Sequence, residues 1–121
     1  MKIKSISQTD ISNDGKRVAY VVREAIMERK KSEYISQIWV TNVDTKENTQ
    51  YTFNSKSSNS PKFSPDGKKI AFLSSRSGKN QIWIINTLGG EPRKVTEEKK
   101  GVSSIQWSPD GKNISFLKRF V

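Results

Sequence analysis

The sequence predicts an all-β fold built from one repeated antiparallel sheet, and three observations predict it. The turn Ser64-Pro65-Asp66-Gly67 recurs as Ser108-Pro109-Asp110-Gly111 and, more loosely, as Ser12-Asn13-Asp14-Gly15. Short alternating apolar runs flank each copy, so each reads as the tip of a hairpin. The strand Gln37-Ile38-Trp39-Val40 returns 44 residues later as Gln81-Ile82-Trp83-Ile84, the spacing that also separates Asp66 from Asp110. A period near 44 is that of a four-stranded propeller blade. The expected architecture is a partial β-propeller of about two and a half four-stranded antiparallel blades.

The turn has a mechanism at each position. Ser suits the first place of a type I turn and Pro presets φ at the second. Asp tolerates the third and can accept from nearby backbone N–H groups. Gly takes the left-handed conformation that closes the hairpin. Asn13 stands where the other copies have Pro and remains compatible with a turn.

Sliding the sequence by 44 residues also lays Asn42 on Asn86, Glu47 on Glu91 and Thr52 on Thr96. Asp14 to Asp66 is 52 residues, so the first copy carries eight more, within Arg23 to Ser36. These boundaries put the first blade at about 5–55, the second at about 57–98 and a half blade at about 101–121. In the second copy the strands are expected at Ser60–Ser64, Lys69–Ser74, Asn80–Asn86 and Arg93–Thr96. Short connections make the sheet a meander.

Columns across the copies predict how blades pack. Ile11, Phe63 and Trp107 align, as do Val18, Ile70 and Ile114, and Tyr20, Phe72 and Phe116. Ala19, Ala71 and Ser115 lie between the last two columns and are small. Small positions beside large ones let neighbouring sheets approach and interdigitate. The inserted segment Glu24 to Tyr34 has mixed helical and loop character. It reads as a longer charged hairpin, or as a lobe facing a partner or substrate with Ile26, Met27 and Tyr34 as its contacts.

Composition narrows the function. The 121 residues suit one small domain, with 32% hydrophobic and 28% charged residues, and the patterned apolar runs argue against disorder. There is no cysteine, which excludes disulfides and thiolate metal sites, and no histidine. The N-terminal residues Met1 to Gln8 have no apolar core of a signal peptide, and no apolar run is long enough to span a membrane. Asn113-Ile114-Ser115 matches a glycosylation sequon and reads as chance. The expected compartment is the cytoplasm.

Net charge is +10, with 12 Lys/Arg against 5 Asp/Glu in residues 57–121 and 10 against 7 in residues 1–56. Basic charge together with Trp39, Trp83 and Trp107 raises nucleic-acid binding. However, each Trp holds a fixed place in a strand, and the lysines are scattered over turns and strand ends. Packing and solvation are the better reading. Asp10 to Gly15 echoes the start of a calcium loop, but Val21 stands where that loop needs its bidentate acid. No phosphate or dinucleotide fingerprint is present, and Gly89-Gly90 reads as a turn. No cofactor, metal or catalytic residue is assigned.

Pro61 to Thr96, PKFSPDGKKIAFLSSRSGKNQIWIINTLGGEPRKVT, resembles the repeat of TolB-like or PD40 propellers. With Ile11 to Ala25 and Gly101 to Leu117, the whole chain resembles the N-terminal propeller of prolyl-oligopeptidase-family serine peptidases, in the acylaminoacyl-peptidase or dipeptidyl-aminopeptidase-like branch. That resemblance implies a partner, a C-terminal α/β-hydrolase domain carrying a Ser-His-Asp triad. It also implies that the propeller filters peptides from folded proteins. This chain has neither a His base nor a Gly-x-Ser-x-Gly elbow, so it is expected not to catalyse by itself. The alternative is a PD40 interaction module with no enzymatic role. On the repeat count the third copy stops after two strands, so the chain reads as a truncated ring that self-associates through its open edge at Ile114 to Leu117, Phe120 and Val121.

Overall fold

The computed structural model describes residues 2–28, 31–54 and 56–118. Ten strands, all paired antiparallel, make up its regular structure: β1 (Lys2–Ile11), β2 (Arg17–Glu28), β3 (Lys31–Asn42), β4 (Asn48–Gln50), β5 (Ser58–Phe63), β6 (Lys69–Ser74), β7 (Gln81–Asn86), β8 (Arg93–Lys94), β9 (Val102–Trp107) and β10 (Ile114–Lys118). They form two four-stranded meanders, β1-β2-β3-β4 and β5-β6-β7-β8, and the hairpin β9-β10. This is an unclosed partial propeller. β5 starts two residues earlier than expected, and β8 is shorter than Arg93–Thr96.

The three Asp-Gly turns close as their composition dictates. Gly15, Gly67 and Gly111 sit at φ +72°, +73° and +73°, where only glycine is unstrained. Each donates its N–H to the carbonyl of the turn serine, at 2.9, 2.8 and 2.9 Å.

The described part of the Glu24–Tyr34 segment is the longer hairpin expected of it, with strand where its composition also suggested helical character. β2 and β3 stay in register from Arg17↔Asn42 to Glu28↔Lys31, and β1 pairs alongside as far as Lys2↔Ile26. The second sheet, by contrast, stops at Ser74↔Gln81. The equivalent pair in the first sheet is Val22↔Gln37, so its hairpin runs six pairs further. That is an overhang of about 20 Å at about 3.3 Å per residue. A run rich in Glu, Lys, Met and Arg favours helix by propensity, but ladder pairing to β1 supplies hydrogen bonds that a helix here would forfeit.

Each first strand also carries a bulge. The ladder slips between Ser7 and Asp10, between Asn59 and Lys62, and opposite Phe116/Leu117. Gln8, Ser60 and Ser104 take φ of +51°, +57° and +62° at equivalent places in the repeat. A bulge bends its strand and leaves a backbone group outside the ladder, and at Ser60 the freed N–H turns to the first sheet.

The core consists of the two spaces between units. In the first, Phe63, Ile70, Phe72 and Ile85 of the second sheet pack on Ala19, Ile38 and Val40 of the first. In the second, Val102, Ile105, Trp107, Ile114 and Phe116 of the hairpin pack on Ala71, Leu73, Ile82 and Ile84 of the second sheet. The columns therefore interlock in a fixed direction. Large residues of one unit press back onto the small column of the unit before it, and Ala19 and Ala71 are completely buried.

Candidate functional site

Side-chain bonds fasten the first sheet to the second. The bulge makes the N–H of Ser60 available to Gln8 Oε1 at 2.8 Å. Asp10 Oδ2 accepts from the N–H of Phe63 at 2.8 Å, and Asn13 Nδ2 donates to the carbonyl of Pro65 at 2.9 Å. On the outer side Tyr51 donates its hydroxyl to the Thr87 carbonyl at 2.5 Å, and burial raises its pKa. Trp107 Nε1 donates to the Lys62 carbonyl at 3.0 Å, linking the hairpin to the second sheet.

Within the sheets, Thr52 and Thr96 each donate to a glutamine Oε1, that of Gln37 and of Gln81, both at 2.6 Å. Each threonine also accepts a strand N–H, from Ile38 and Ile82, at 2.9 Å. Gln37 and Gln81 donate onward to the carbonyls of Asn54 and Glu98.

Arg76 was not singled out by the sequence. Its guanidinium lies over the rings of Phe72 (5.4 Å) and Trp83 (4.9 Å). It donates to the hydroxyls of Ser74 (3.2 Å) and Ser58 (3.0 Å). It lies at the end of the first inter-sheet core, its guanidinium over two rings and bonded to hydroxyls, with burial disfavouring and the charge of Glu91 favouring its ionised form.

The groups that looked closest to chemistry are all engaged in structure. Ser12, Ser64 and Ser108 each donate Oγ–H to the aspartate two residues on, at 2.6 Å. Each also accepts the N–H five residues on, from Arg17, Lys69 and Asn113. The base that each hydroxyl meets is its own turn aspartate, whose lowered pKa makes it a weak one. Asp10 and Asp14, the acids of the calcium-loop echo, serve Phe63 and the Ser12 turn respectively. Among the described residues, no group of three or more acids could hold a metal ion.

Two grooves remain. One, of about 330 Å³, lies on the outer face of the first sheet, lined by Val22, Ile35, Gln37, Trp39, Gln50 and Phe53. The other, of about 320 Å³, runs beside the hairpin among Ile82, Ile84, Val95, Trp107, Ile114 and Phe116. Of the expected lobe contacts, Tyr34 is exposed and stacked under Arg23 at 4.1 Å, while the side chains of Ile26 and Met27 lie outside the described ones. Phe120 and Val121 also lie outside the described residues.

Sheets that stack large column on small column, tied by side-chain-to-backbone bonds, are the construction of a propeller wall. The family model of the tricorn protease N-terminal β-propeller domain matches residues 32–120. The chain belongs to that family.

Its relatives include peptidases. The chain is 40% identical over 76 residues to the uncharacterized peptidase YuxL of Bacillus subtilis, covering 63% of this chain and 11% of that protein. Its fold is similar to that of the acylaminoacyl peptidase of Pyrococcus horikoshii, with TM-score 0.74 and 29% identity over 93% of this chain and 17% of the other. It is also similar to the β-propeller domain of the trilobed protease of Pyrococcus furiosus, with TM-score 0.72 and 26% identity over 96% of this chain and 35% of that one. The chain thus spans only a fraction of the length of each.

Proposed function

We propose that this chain is a non-catalytic section of the propeller of a serine peptidase of the acylaminoacyl-peptidase type. In this reading it forms part of a wall that admits peptides to a catalytic domain and turns folded proteins away. The partners are the remaining blades, an α/β-hydrolase domain bearing the triad, and the peptides that enter. The compartment we propose is the cytoplasm. One observation carries the reading most: a tricorn-type propeller family match and a 40% identical peptidase relative converge on a chain that contains no histidine. Attack by a serine hydroxyl needs a base, and the turn serines are already committed to aspartates.

A wall of this kind works by rigidity. The sheets are locked by Asp10, Gln8, Asn13 and Tyr51, so a passing chain meets fixed geometry. The test is to purify the polypeptide that its own gene encodes around this sequence. It is assayed on a short acyl-peptide and on a folded protein containing the same peptide, before and after Phe72→Ala loosens the first inter-sheet core. The reading expects cleavage of the short substrate alone, with the folded one becoming cleavable in the variant. No peptidase activity, or equal cleavage of both substrates at the outset, contradicts it. Fractionation of cells tests the compartment.

A further inference from the structure

A recess of about 400 Å³ opens between the first two sheets, at the end of the molecule where the Asp-Gly turns lie. Arg17 at the start of β2, Gly67 and Lys68 of the second turn, and the stretch from Asn86 to Gly89 after β7 line it. Both sheets that frame it are four-stranded in this chain. Thr87 holds the frame together. It donates its N–H to the Lys68 carbonyl at 2.9 Å and its hydroxyl to the Gly67 carbonyl at 2.6 Å. Its own carbonyl accepts from Tyr51, just after β4, at 2.5 Å.

Two cations line this recess and, among the described residues, no acid does. Arg17 is half-buried, yet its guanidinium has no hydrogen-bond or ion-pair partner among the described residues. Arg76, by contrast, gives its donors to Ser58 and Ser74. Glu47 borders Arg17 only in an adjoining recess of about 160 Å³ and is not ion-paired with it. A guanidinium carries five N–H donors, and buried polar groups ordinarily engage theirs. Leu88 completes the lining, 87% exposed where the equivalent turn of the first sheet carries Asp44. The repeat renews the charge pairing one unit on. Lys69, the equivalent of Arg17, lines the groove by the hairpin together with Gly111 and Lys112, the equivalents of Gly67 and Lys68.

We propose that the recess at Arg17, Lys68 and Leu88 binds a small aliphatic carboxylate. The carboxylate lies on Arg17 and Lys68, and the apolar chain covers Leu88. A guanidinium fork matches a carboxylate in shape as well as charge, and the ammonium adds a second charge. The volume lies at the small end of ligand pockets, which suits one such molecule. An inorganic anion would use the cations and leave Leu88 in water. A free fatty acid and an acylated amino acid share the required chemistry, and the probes below separate them. The proposal stands on this recess alone, and its failure leaves the peptidase reading untouched.

The test is amide NMR of the 121-residue chain titrated with isocaproate, acetyl-leucine, isocaproamide and inorganic phosphate. Saturable shifts at Gly67, Thr87 and Leu88 are expected with the carboxylates, and the tighter of the two names the source. Isocaproamide and phosphate are expected to bind about tenfold more weakly or worse, since one lacks the charge and the other the apolar chain. Arg17→Gln is expected to weaken carboxylate binding about tenfold or more. Leu88→Asp, which installs the residue of the first sheet's turn, is expected to abolish it. Lys79→Gln, outside the recess, should leave it unchanged. Should Arg17→Gln lose its dispersed spectrum, Leu88→Asp carries the test, because Leu88 is exposed. No saturable shift with either carboxylate overturns the proposal. So does equal binding of isocaproamide or phosphate, or undiminished binding in a folded Arg17→Gln or Leu88→Asp variant.

Discussion

Thr52 donates its hydroxyl to Gln37 Oε1 at 2.6 Å, and Thr96 and Gln81 repeat the bond at the same distance one repeat later. In both sheets the threonine follows the short outermost strand, where the backbone ladder has ended. Its side chain takes over from the ladder by accepting the N–H of Ile38 or Ile82. The outer strand is thereby held although β4 and β8 are only three and two residues long.

Replacing Thr52 by Val keeps the shape but strands the Ile38 N–H and the Gln37 carbonyl in a buried place. The expected loss is about 1–3 kcal/mol of unfolding free energy, the cost of leaving buried polar groups unpaired. Thr96→Val should act similarly, and the two losses should add, since the two clamps share no partner. Urea denaturation of the single and double variants measures both. A loss well below the sum in the double variant would show that the clamps are not independent.

The inter-sheet space admits no larger group at its small column. Ala71→Leu forces a bulky side chain against Val102 and Ile105 and should cost about 1–3 kcal/mol. Phe72 is the largest fully buried side chain among the described residues, and Phe72→Ala should cost about 3–5 kcal/mol through lost transfer energy and the cavity left behind. Thermal melts compare the two, with Phe72→Ala expected to be the worse.

Acid should loosen the turns. The pKa values of Asp14, Asp66 and Asp110 are lowered, first by the serine hydroxyl each accepts and next by the N–H of Lys16, Lys68 or Lys112. A carboxyl depressed in the folded state contributes stability above its unfolded pKa and loses it as pH falls through the folded one. The melting temperature should therefore fall as pH drops below about 4, the ordinary carboxylate range. The triple Asp→Asn variant should melt lower at neutral pH and lose less on acidification. Melts from neutral to acid pH, with an unchanged slope in that variant, would show that other groups drive the acid response.

Much of this was readable in advance because the repeat writes the same physics several times. The turns, the Gln-Ile-Trp strands and the large and small columns recur at fixed spacing, and each occupies the place that the spacing implies. The Gln–Thr clamp was visible only as aligned letters. Its partners lie 15 residues apart and meet after the outer strand folds back. The bulges at Gln8, Ser60 and Ser104 left no mark, since none is a glycine, the residue by which a positive φ is usually read. The insertion was readable as a longer hairpin, but its register was not, because Glu28 and Lys31 favour helix by propensity and are held as strand by the ladder that β2 and β3 begin at Arg17↔Asn42. Arg76 gave no signal because its hydrogen-bond partners Ser58 and Ser74 and the rings under it, Phe72 and Trp83, are brought together only by the folded sheet.

The proposal that this chain forms part of a wall and does no chemistry of its own is open to direct test. Intact-mass spectrometry of the purified 121-residue chain after exposure to a fluorophosphonate serine probe tests it most directly. The account predicts an unmodified mass, since the described turn serines are hydrogen-bonded to aspartate and the chain has no histidine. A stoichiometric adduct that maps to one serine and disappears on its replacement by Ala would contradict it.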